Sequence, residues 1–395
     1  MSPLLTRKIH DWYAGIASAV FPLRRTETPP DDALIEKWQV QTAGEQVFDN
    51  SFEAEVLGTT EATTRYWWSD AWAYRLRNVL LAGGAGQVYF QNGELFNVDP
   101  LTRREKNDCV LRRPISGMVQ EVRGPLLHLC GPNSENHGHF ILDYLPKLMP
   151  FLERFRAEPR ARILLSPGRK KWQCRYLARF GIPEDRVIEA GYGTLAVDEL
   201  WYVPILHAED GVAKLSAPAN HFAVRDALGA QIDPKDAPLC IFASRLDAPN
   251  KKLLNEERLA ERAREILGDV RIIKLSEHSL AEQLRLFASA TVIVGAVGQN
   301  LTEVFCASGK LVLVMTVEEE TVPGRRSWGR AYHNLALLGG NKAVLLTRDT
   351  PWDKDRNWSF NEDRFADVLE RSWKLFQRGG ADKAASKCHA PGMQA

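Results

Sequence analysis

The chain has 395 residues, a length that predicts two domains. Hydrophobic residues make up 45% and charged residues 26%, so each domain is expected to have the hydrophobic core of an ordinary water-soluble protein. The formal net charge of +1 argues against a general nucleic-acid binder, which needs a strongly basic surface. The six cysteines stand singly and form no Cys-x-x-Cys pair. Neither a zinc knuckle nor a redox motif is therefore indicated, and reduced thiols in a cytoplasmic protein are expected.

The first predicted element is an amphipathic helix over residues 4–20. Its apolar residues recur at helical spacing, and basic residues flank both ends. This pattern fits either packing against the protein's own domain or contact with an anionic membrane surface. We find no secretory signal and no apolar run of about 18 residues. The sequence thus predicts a cytoplasmic protein, with peripheral contact at the inner face of the membrane as the alternative role for residues 4–20.

The next elements are β-hairpins between about residues 76 and 100. Three apolar runs are separated by the glycine-rich stretch 83–86 and by Asn92-Gly93, which favour tight turns between strands. From 125 to 205 predicted strands and helices alternate, and the alternation repeats more regularly after a polar, proline-bearing stretch at 231–238. Such alternation predicts parallel sheets covered by helices.

The polar stretch at 231–238 marks the predicted boundary between two domains. We expect a first domain over 1–235 and a second domain over 236–358. A final helix over 359–378 is expected to pack back across the cleft between them. A small, polar tail over 379–395 is expected to be disordered.

The most informative segment lies where an apolar strand at 125–130 passes through a turn into a helix. Open α/β sheets build their sites at such junctions. His139 and Asp143 are four residues apart on this helix, so they share one face. An imidazole and a carboxylate held together can act as a proton acceptor and its orienter. The alternative is a capped helix with one buried His–Asp hydrogen bond.

If the pair is catalytic, we expect Asp143 to be the general base and His139 to orient it or to contact the substrate. A carboxylate is ionised at neutral pH and becomes a stronger base when it loses water. The exchanged roles stay open, because an imidazole is equally poised for proton transfer. Asn136, His137 and Tyr144 are the predicted binding residues around the pair.

A second site, for an anion, is predicted in the other half of the chain. Ser244 and Arg245 follow the strand at 239–242, and Lys251 lies in the same loop; Arg and Lys at a strand end suit a diphosphate. Asn255 can cap the helix that follows. The alternative is a solvated basic loop.

The other part of this anion site is the turn after the strand that ends at Gly295. Two glycines and a helix start offer free N–H groups that bind phosphate, although a plain tight turn has the same pattern. Neither an NAD fingerprint nor a P-loop is present. The predicted residues of this anion site are Ser244, Arg245, Lys251, Gly298, Asn300, Leu301, Thr302 and Glu303.

These motifs together resemble those of glycosyltransferase family 61, over about residues 75 to 350. The segment from Asn136 to Pro146, Asn-His-Gly-His-Phe-Ile-Leu-Asp-Tyr-Leu-Pro, is similar to the central motif of the family. Downstream blocks agree in order: Ser244-Arg245, Lys251-Lys252, Asn255-Glu256, Ser279, Glu282-Gln283, Phe287 and the turn from Gly295 to Phe305.

The turn also departs from the family pattern. Val297 stands where the family usually has His, Gln299-Asn300 replaces Ala-Gly, and Glu303 replaces Asn. In the basic loop, Lys at 251 or 252 replaces Arg. Gly298, Leu301 and Thr302 are retained. The backbone cradle is therefore expected to persist, whereas the donor identity is open.

The resemblance, to a bacterial-type member, implies an α/β protein with two Rossmann-like domains that face a cleft, of the GT-B type, after an N-terminal helix and hairpin region. It implies inverting transfer from a nucleotide sugar, usually a UDP-sugar, to a saccharide or glycolipid acceptor in surface polysaccharide assembly. The resemblance makes Asn136, His137 and Tyr144 the expected acceptor-binding residues, and it makes the residues of the anion site the expected donor-binding residues. No metal and no cofactor are implied. Two alternatives stay open. One is another GT-B-like enzyme such as a pyruvyltransferase, and the other is a non-catalytic scaffold that binds a glycan or a partner.

Overall fold

The computed structural model describes residues 24–99, 119–191, 193–207, 215–229, 240–248, 251–316, 328–348, 351, 353–355 and 357–388. The predicted N-terminal helix over 4–20 and the predicted boundary at 231–238 lie outside these residues. The strands are β1 Arg25–Thr26, β2 Leu34–Gln41, β3 Gly44–Asp49, β4 Thr63–Trp68, β5 Ala71–Ala82, β6 Gln87–Tyr89, β7 Leu95–Phe96, β8 Val119–His128, β9 Arg162–Leu165, β10 Val187–Glu189, β11 Thr194–Tyr202, β12 Cys240–Ala243, β13 Val270–Ile273, β14 Val292–Ala296, β15 Leu311–Thr316 and β16 Lys342–Thr347.

The helices cover the faces of the sheets. They are α1 Ser51–Leu57, α2 (a composite helix over 137–157), α3 Lys171–Arg179, α4 Pro218–Leu228, α5 Glu256–Leu267, α6 Leu280–Ser289, α7 Trp328–Leu338 and α8 Glu362–Cys388. Single 3₁₀ segments lie at Glu184–Arg186, Leu275–Glu277 and Gln299–Cys306.

The Cα positions group into two compact units. The first unit holds the described residues of the ranges 1–45, 67–211 and 215–228, and the second holds those of 46–66, 212–214 and 229–395. Each unit has its own main sheet, and each is an α/β structure. The α/β class predicted from the sequence is therefore confirmed.

The sheet of the first unit is mixed rather than fully parallel. Strands β11, β8, β9 and β10 are parallel neighbours, whereas β5 pairs antiparallel with β11, β2 and β6. The hairpins predicted at 83–86 and 92–93 are confirmed, and they join β5 to β6 and β6 to β7. Because such short turns can join only antiparallel strands, this part of the sheet departs from the parallel Rossmann pattern expected for the first domain.

The second unit contains the parallel sheet that the sequence predicts for it. The order is β13-β12-β14-β15-β16, and every neighbouring pair is parallel. Strands β12, β14 and β15 are buried along their whole length, as expected for strands covered on both faces. Going out from β12, the chain places β13 on one side and β14 on the other. The strand order thus reverses between β12 and β14.

Residues 46–66 pack with the second unit, although the sequence analysis placed them in a first domain over 1–235. Phe52 and Val56 of α1 join the core formed by β12, β14 and β15. The carboxylate of Glu53 accepts a hydrogen bond from the amide of Leu345 and pairs with Arg330 at 3.3 Å. The position of α1 is therefore set by residues almost 300 positions away, which local sequence patterns do not show.

This buried carboxylate predicts an acid-sensitive contribution to stability. Burial acts to raise the pKa of Glu53, but the close contact with His333 at 3.3 Å, the charges of His333 and Arg330 and the Leu345 amide lower it to about 2 from 4.5. Because the folded-state pKa is depressed, the stabilisation is present above about pH 4.5 and is lost as the pH falls toward about 2. Glu53→Gln should lower the free energy of unfolding at pH 7 by about 3 kcal/mol.

Thermal or urea unfolding of wild type and Glu53→Gln at pH 7 and at pH 3 measures this effect. The difference between the two proteins should shrink at the lower pH. Glu261→Gln, an exposed carboxylate on α5, is the matched control and should change stability little at either pH. A Glu53→Gln deficit of equal size at both values would contradict the electrostatic explanation.

The last helix, α8, extends to Cys388, beyond residue 378 where the sequence analysis began a disordered tail. Alanine and lysine recur in this stretch, and both favour helix. Its apolar residues Phe365, Val368 and Leu369 enter the core of the second unit. The predicted return of this helix across a cleft stays a prediction.

Candidate active site

The first candidate site lies at the start of α2. The side chain of Asn136 caps this helix, because its Oδ1 accepts hydrogen bonds from the amides of Gly138 and His139 at 3.1 and 3.4 Å. Asn136 was a predicted acceptor contact, and the structure shows it acting on its own helix. The cap sets the backbone direction from which the histidines project.

Helix α2 contains a π-helical turn immediately after the cap. Over Phe140–Tyr144 the spacing widens, and the amide of Leu145 donates to the carbonyl of Phe140 five residues earlier. Pro146 follows, and a proline has no N–H and crowds the carbonyl four residues before it. Such π turns occur often at functional sites. This turn carries Asp143.

His139 and Asp143 are in direct contact. The distance from Nδ1 of His139 to Oδ2 of Asp143 is 2.6 Å, as the spacing of four residues predicts. The side chain of Asp143 is 2% exposed and that of His139 is 16% exposed. A carboxylate only accepts hydrogen bonds, so Nδ1 carries the proton and Nε2 is the basic atom of a neutral ring. The imidazole is the more accessible group of the pair.

His137 projects toward helix α3. Its ring lies 5.0 Å from the ring of Trp172 in an edge-to-face contact, and its Nε2 is 3.2 Å from the hydroxyl of Tyr176. Trp172 also contacts Phe140. The sequence analysis predicted the helix at 171–180 but did not connect Trp172 with the motif, because the contact joins residues 35 positions apart in the chain.

A further histidine, His221, lies within electrostatic reach of Asp143, and sequence reasoning missed it. His221 on α4 is fully buried, and its Nε2 accepts a hydrogen bond from the amide of Ser216 at 3.2 Å. Burial lowers the pKa of His221 to about 4, while the charge of Asp143 acts to raise it and His207 acts to lower it. Neutral His221 therefore forms part of the buried surroundings of the Asp143 carboxylate.

Lys147, one helical turn after Asp143, is also fully buried. Its Nζ lies 5.3 Å from the ring of Tyr144 and 5.5 Å from that of Tyr202, and it has no hydrogen-bond partner among the described residues. Burial lowers the pKa of Lys147, and the charges of Asp99, Cys130 and Asp143 partly oppose this. A buried lysine thus lies within electrostatic reach of the candidate catalytic pair.

Tyr144 was predicted to contact the acceptor, and the structure places it in the core instead. The ring is fully buried, and its hydroxyl donates to the carbonyl of Pro132 at 2.8 Å. A side chain at Gly131 would overlap this hydroxyl, since a Cβ there lies 2.4 Å from it. Tyr144 therefore fastens α2 to the loop after β8, a role that depends on tertiary packing.

The second candidate site lies at the point where the strand order of the second unit reverses. Arg245 follows β12, and Gly298 follows β14. Ligands in open α/β sheets bind at the carboxyl ends of the strands at such a point. Nη1 of Arg245 donates to the carbonyl of Val297 at 2.9 Å, and its Nε donates to the carbonyl of Lys251 at 3.3 Å. The guanidinium thus connects the loop after β12, the backbone of Lys251 and the turn after β14, which are the three predicted parts of the donor site.

Gly298 leaves space for the guanidinium of Arg245. A Cβ on Gly298 would lie 1.3 Å from Nη1 of Arg245, so a larger residue would displace the guanidinium from its position against Val297. The amide of Leu301 then donates to the carbonyl of Gly298 at 3.0 Å and starts the 3₁₀ segment Gln299–Cys306. Leu301 itself is buried against Gly295, so only its backbone can face a ligand.

Three side chains of this segment were predicted to bind the donor. Nδ2 of Asn300 donates to the carbonyl of Ala243 at 2.7 Å, while its buried Oδ1 has no hydrogen-bond partner within the described parts of the chain. Oγ1 of Thr302 lies 3.5 Å from the hydroxyl of Tyr332. Glu303 is fully buried. The Oδ1 atom of Asn300 can therefore accept a hydrogen bond from a ligand.

Ser244 has a structural role instead of the predicted ligand contact. It is buried, and its hydroxyl donates to the carboxylate of Glu256, which also accepts the amide N–H of Arg245 at 2.9 Å. Asn255 likewise does not cap α5 with its side chain. Its amide group pairs with the backbone of Phe360. Both residues hold the loop that presents Arg245.

The chain contains one Asp-x-Asp triplet, Asp353 to Asp355, the type of motif that can bridge a metal ion to a diphosphate. Here Oδ1 of Asp353 accepts the amides of Asp355 and Asn357 at 2.8 and 2.7 Å. Its Oδ2 accepts Nδ2 of Asn357 at 3.2 Å. The first carboxylate of the triplet thus stabilises a turn.

Comparison with known families gives one match. Residues 137–314 match the sequence model of the family described as Glycosyltransferase 61. The match begins in the helix of His139 and Asp143 and ends in β15. This region is a glycosyltransferase 61 domain, which indicates a glycosyltransferase. No curated protein matches the chain significantly, and none of the described helices is long and apolar enough to cross a membrane.

Proposed function

We propose that the protein transfers a sugar, with inversion, from a nucleotide sugar to a saccharide or glycolipid acceptor in surface polysaccharide assembly. The contact between His139 and Asp143 within the family-matched region carries this proposal. A base that takes the acceptor proton is what an inverting transfer needs from the protein. A cytoplasmic location and peripheral contact of residues 4–20 with a membrane belong to the same proposal.

The burial of the pair favours the exchanged roles, with His139 as the base. Asp143 accepts from Nδ1 and is almost inaccessible, whereas His139 is partly exposed. In this arrangement Asp143 fixes the tautomer and stabilises the imidazolium, as carboxylates do beside catalytic histidines. Nε2 of His139 removes the proton from the acceptor hydroxyl while the hydroxyl oxygen attacks the anomeric carbon of the donor sugar.

The leaving group is then the nucleoside diphosphate, which takes the bonding electron pair of the glycosidic C–O bond. Arg245 offers a charged, forked donor for it, and Oδ1 of Asn300 offers an acceptor for a hydroxyl or N–H of the nucleoside. Amides at the start of the 3₁₀ segment stabilise the developing charge. We include in the proposal a metal-independent reaction and a GT-B arrangement, with the donor bound to the second unit and the base on the first.

Nucleotide-dependent stabilisation and turnover test this proposal. A panel of UDP- and other nucleotide sugars is screened first by thermal melting, because a ligand that binds the native state raises the melting temperature. Nucleotide release in the presence of saccharide acceptors is then measured. A donor that stabilises the protein and is turned over supports the transferase. Stabilisation without release favours a binding scaffold, and transfer from a phosphoenol ester without any nucleotide effect favours a pyruvyltransferase.

A further inference from the structure

Helix α3 of the first unit carries three exposed basic residues along one side. Lys171, Arg175 and Arg179 are spaced four apart, so they form one ridge about 12 Å long. We call these three residues the basic ridge. None of them makes an ion pair or a side-chain hydrogen bond with another described residue.

The basic ridge differs from other charged helices of this protein. Helix α3 contains no acidic residue, whereas Arg371 and Lys374 on α8 pair with Asp367 and Glu370 one turn earlier. Like charges four residues apart destabilise a helix. With 51 basic and 50 acidic residues, the chain as a whole has almost no charge excess. The unpaired positive charge is thus local.

This ridge borders the candidate catalytic helix. At 100° per residue, Trp172 follows Lys171, Arg175 and Arg179 around α3, and Tyr176 comes next. Trp172 touches His137, and Tyr176 is within hydrogen-bond distance of it. A partly exposed indole therefore lies between the basic ridge and the segment that holds His139.

We propose that helix α3 binds the acceptor, and that the acceptor is an acidic saccharide bearing carboxylates. The indole of Trp172 offers an apolar face to a sugar ring, and the basic ridge pairs with carboxylates along the chain of sugars. This inference rests on the proposed transferase function, for which it names the class of acceptor. Charge complementarity favours an acidic acceptor, because three adjacent cations attract a polyanion more strongly than a single cation does.

The surroundings of α3 argue against two other anionic partners. A helix that inserts into a membrane surface needs an exposed apolar face, but Tyr176 and Leu177 of α3 are buried in the protein. A nucleic-acid binder needs a broad positive field, and the formal net charge is +1. A carboxylated saccharide needs only the short ridge and an adjacent ring.

Calorimetric titration of the full chain, without donor, tests the inference. The probes are an oligogalacturonate of defined length and a neutral malto-oligosaccharide of equal length. The triple variant Lys171→Gln, Arg175→Gln, Arg179→Gln should bind the oligogalacturonate about tenfold more weakly, because three individually weak exposed ion pairs are removed. Wild-type binding should weaken as salt is raised, since salt screens exposed charges.

The matched control is the triple variant Arg371→Gln, Lys374→Gln, Arg378→Gln on α8, which removes three exposed positive charges from the second unit. It should bind the probe as the wild type does. Equal weakening in both variants, or wild-type binding of both probes with the same affinity, would overturn the inference. Loss of binding to phosphatidylglycerol vesicles with unchanged oligogalacturonate binding would overturn it too, and would assign the ridge to a membrane.

These titrations are separate from the turnover test. If the protein binds the acidic probe through the basic ridge but never releases nucleotide, the transferase proposal is overturned. Helix α3 would then remain a saccharide-binding surface. Full turnover of neutral acceptors by both triple variants would support the transferase proposal and overturn the assignment of an acidic acceptor.

Discussion

Replacing His139 by alanine is expected to lower kcat by about a hundredfold to ten-thousandfold, the usual effect of losing a general base. Nucleotide binding should stay near that of the wild type, because Arg245 and the turn at Gly298 belong to the second unit. Asp143→Asn should also lower kcat. The amide can present a donor to Nδ1, which favours the wrong tautomer of the imidazole. Steady-state kinetics with a saturating donor measure both effects.

The two variants together distinguish the roles within the pair. Full turnover by Asp143→Asn, with loss in His139→Ala, identifies the imidazole as the base and shows that Asp143 orients it little. The reverse result identifies Asp143 as the base. His278→Ala, a histidine of the second unit outside both sites, is the control and should remain active. If both variants of the pair stay active, the motif is only a capped helix with a buried hydrogen bond.

Arg245→Ala is expected to weaken nucleotide binding by about 1.5–3 kcal/mol, the range for hydrogen bonds to charged groups. Arg245 is mostly buried, and desolvation lowers its pKa below the usual arginine value, while charged groups nearby act to raise it. An anion that replaces the lost water stabilises this cation more than it would stabilise an exposed one. Titration of UDP and of the donor identified by the screen measures the change.

Arg245 also donates to the carbonyls of Val297 and Lys251, so its loss could disturb the turn itself. Arg264→Ala is the matched control, because Arg264 of α5 donates to the carbonyl of Val270 at the start of β13, away from this turn. It should lower stability to a similar extent and leave nucleotide affinity unchanged. Arg245→Lys keeps the charge without the fork and should recover only part of the affinity. Wild-type affinity in Arg245→Ala would place the nucleotide elsewhere.

The turn after β14 keeps its backbone contacts although its side chains depart from the family pattern. Val297 replaces the histidine usual in the family, yet its backbone carbonyl holds Arg245, and Gly298 keeps the space that the guanidinium needs. Buried Glu303 stands where the family usually has Asn. Asn300, whose Oδ1 has no hydrogen-bond partner in the described parts of the chain, stands where the family usually has Gly. We expect the backbone geometry of the donor site to be preserved and the choice of nucleoside to differ.

The features that the sequence determined by itself are local ones. The turns at 83–86 and 92–93 predicted hairpins, and the alternating strands and helices after residue 239 predicted the parallel sheet of the second unit. The spacing of His139 and Asp143 predicted their contact. In each case the structure depends on residues within a few positions of one another, so hydrophobic period and turn chemistry are sufficient.

Only the tertiary structure decided which distant groups meet. Tyr144 is buried in the core, Ser244 donates to Glu256, and Asn255 pairs with Phe360. His221 and Lys147 lie in the surroundings of Asp143. The tertiary structure also joined residues 46–66 to the second unit and made the first sheet mixed. A polar side chain at a helix end can bond locally or to a distant partner. Long-range packing settles that choice, because the burial of each group decides which partner it must have.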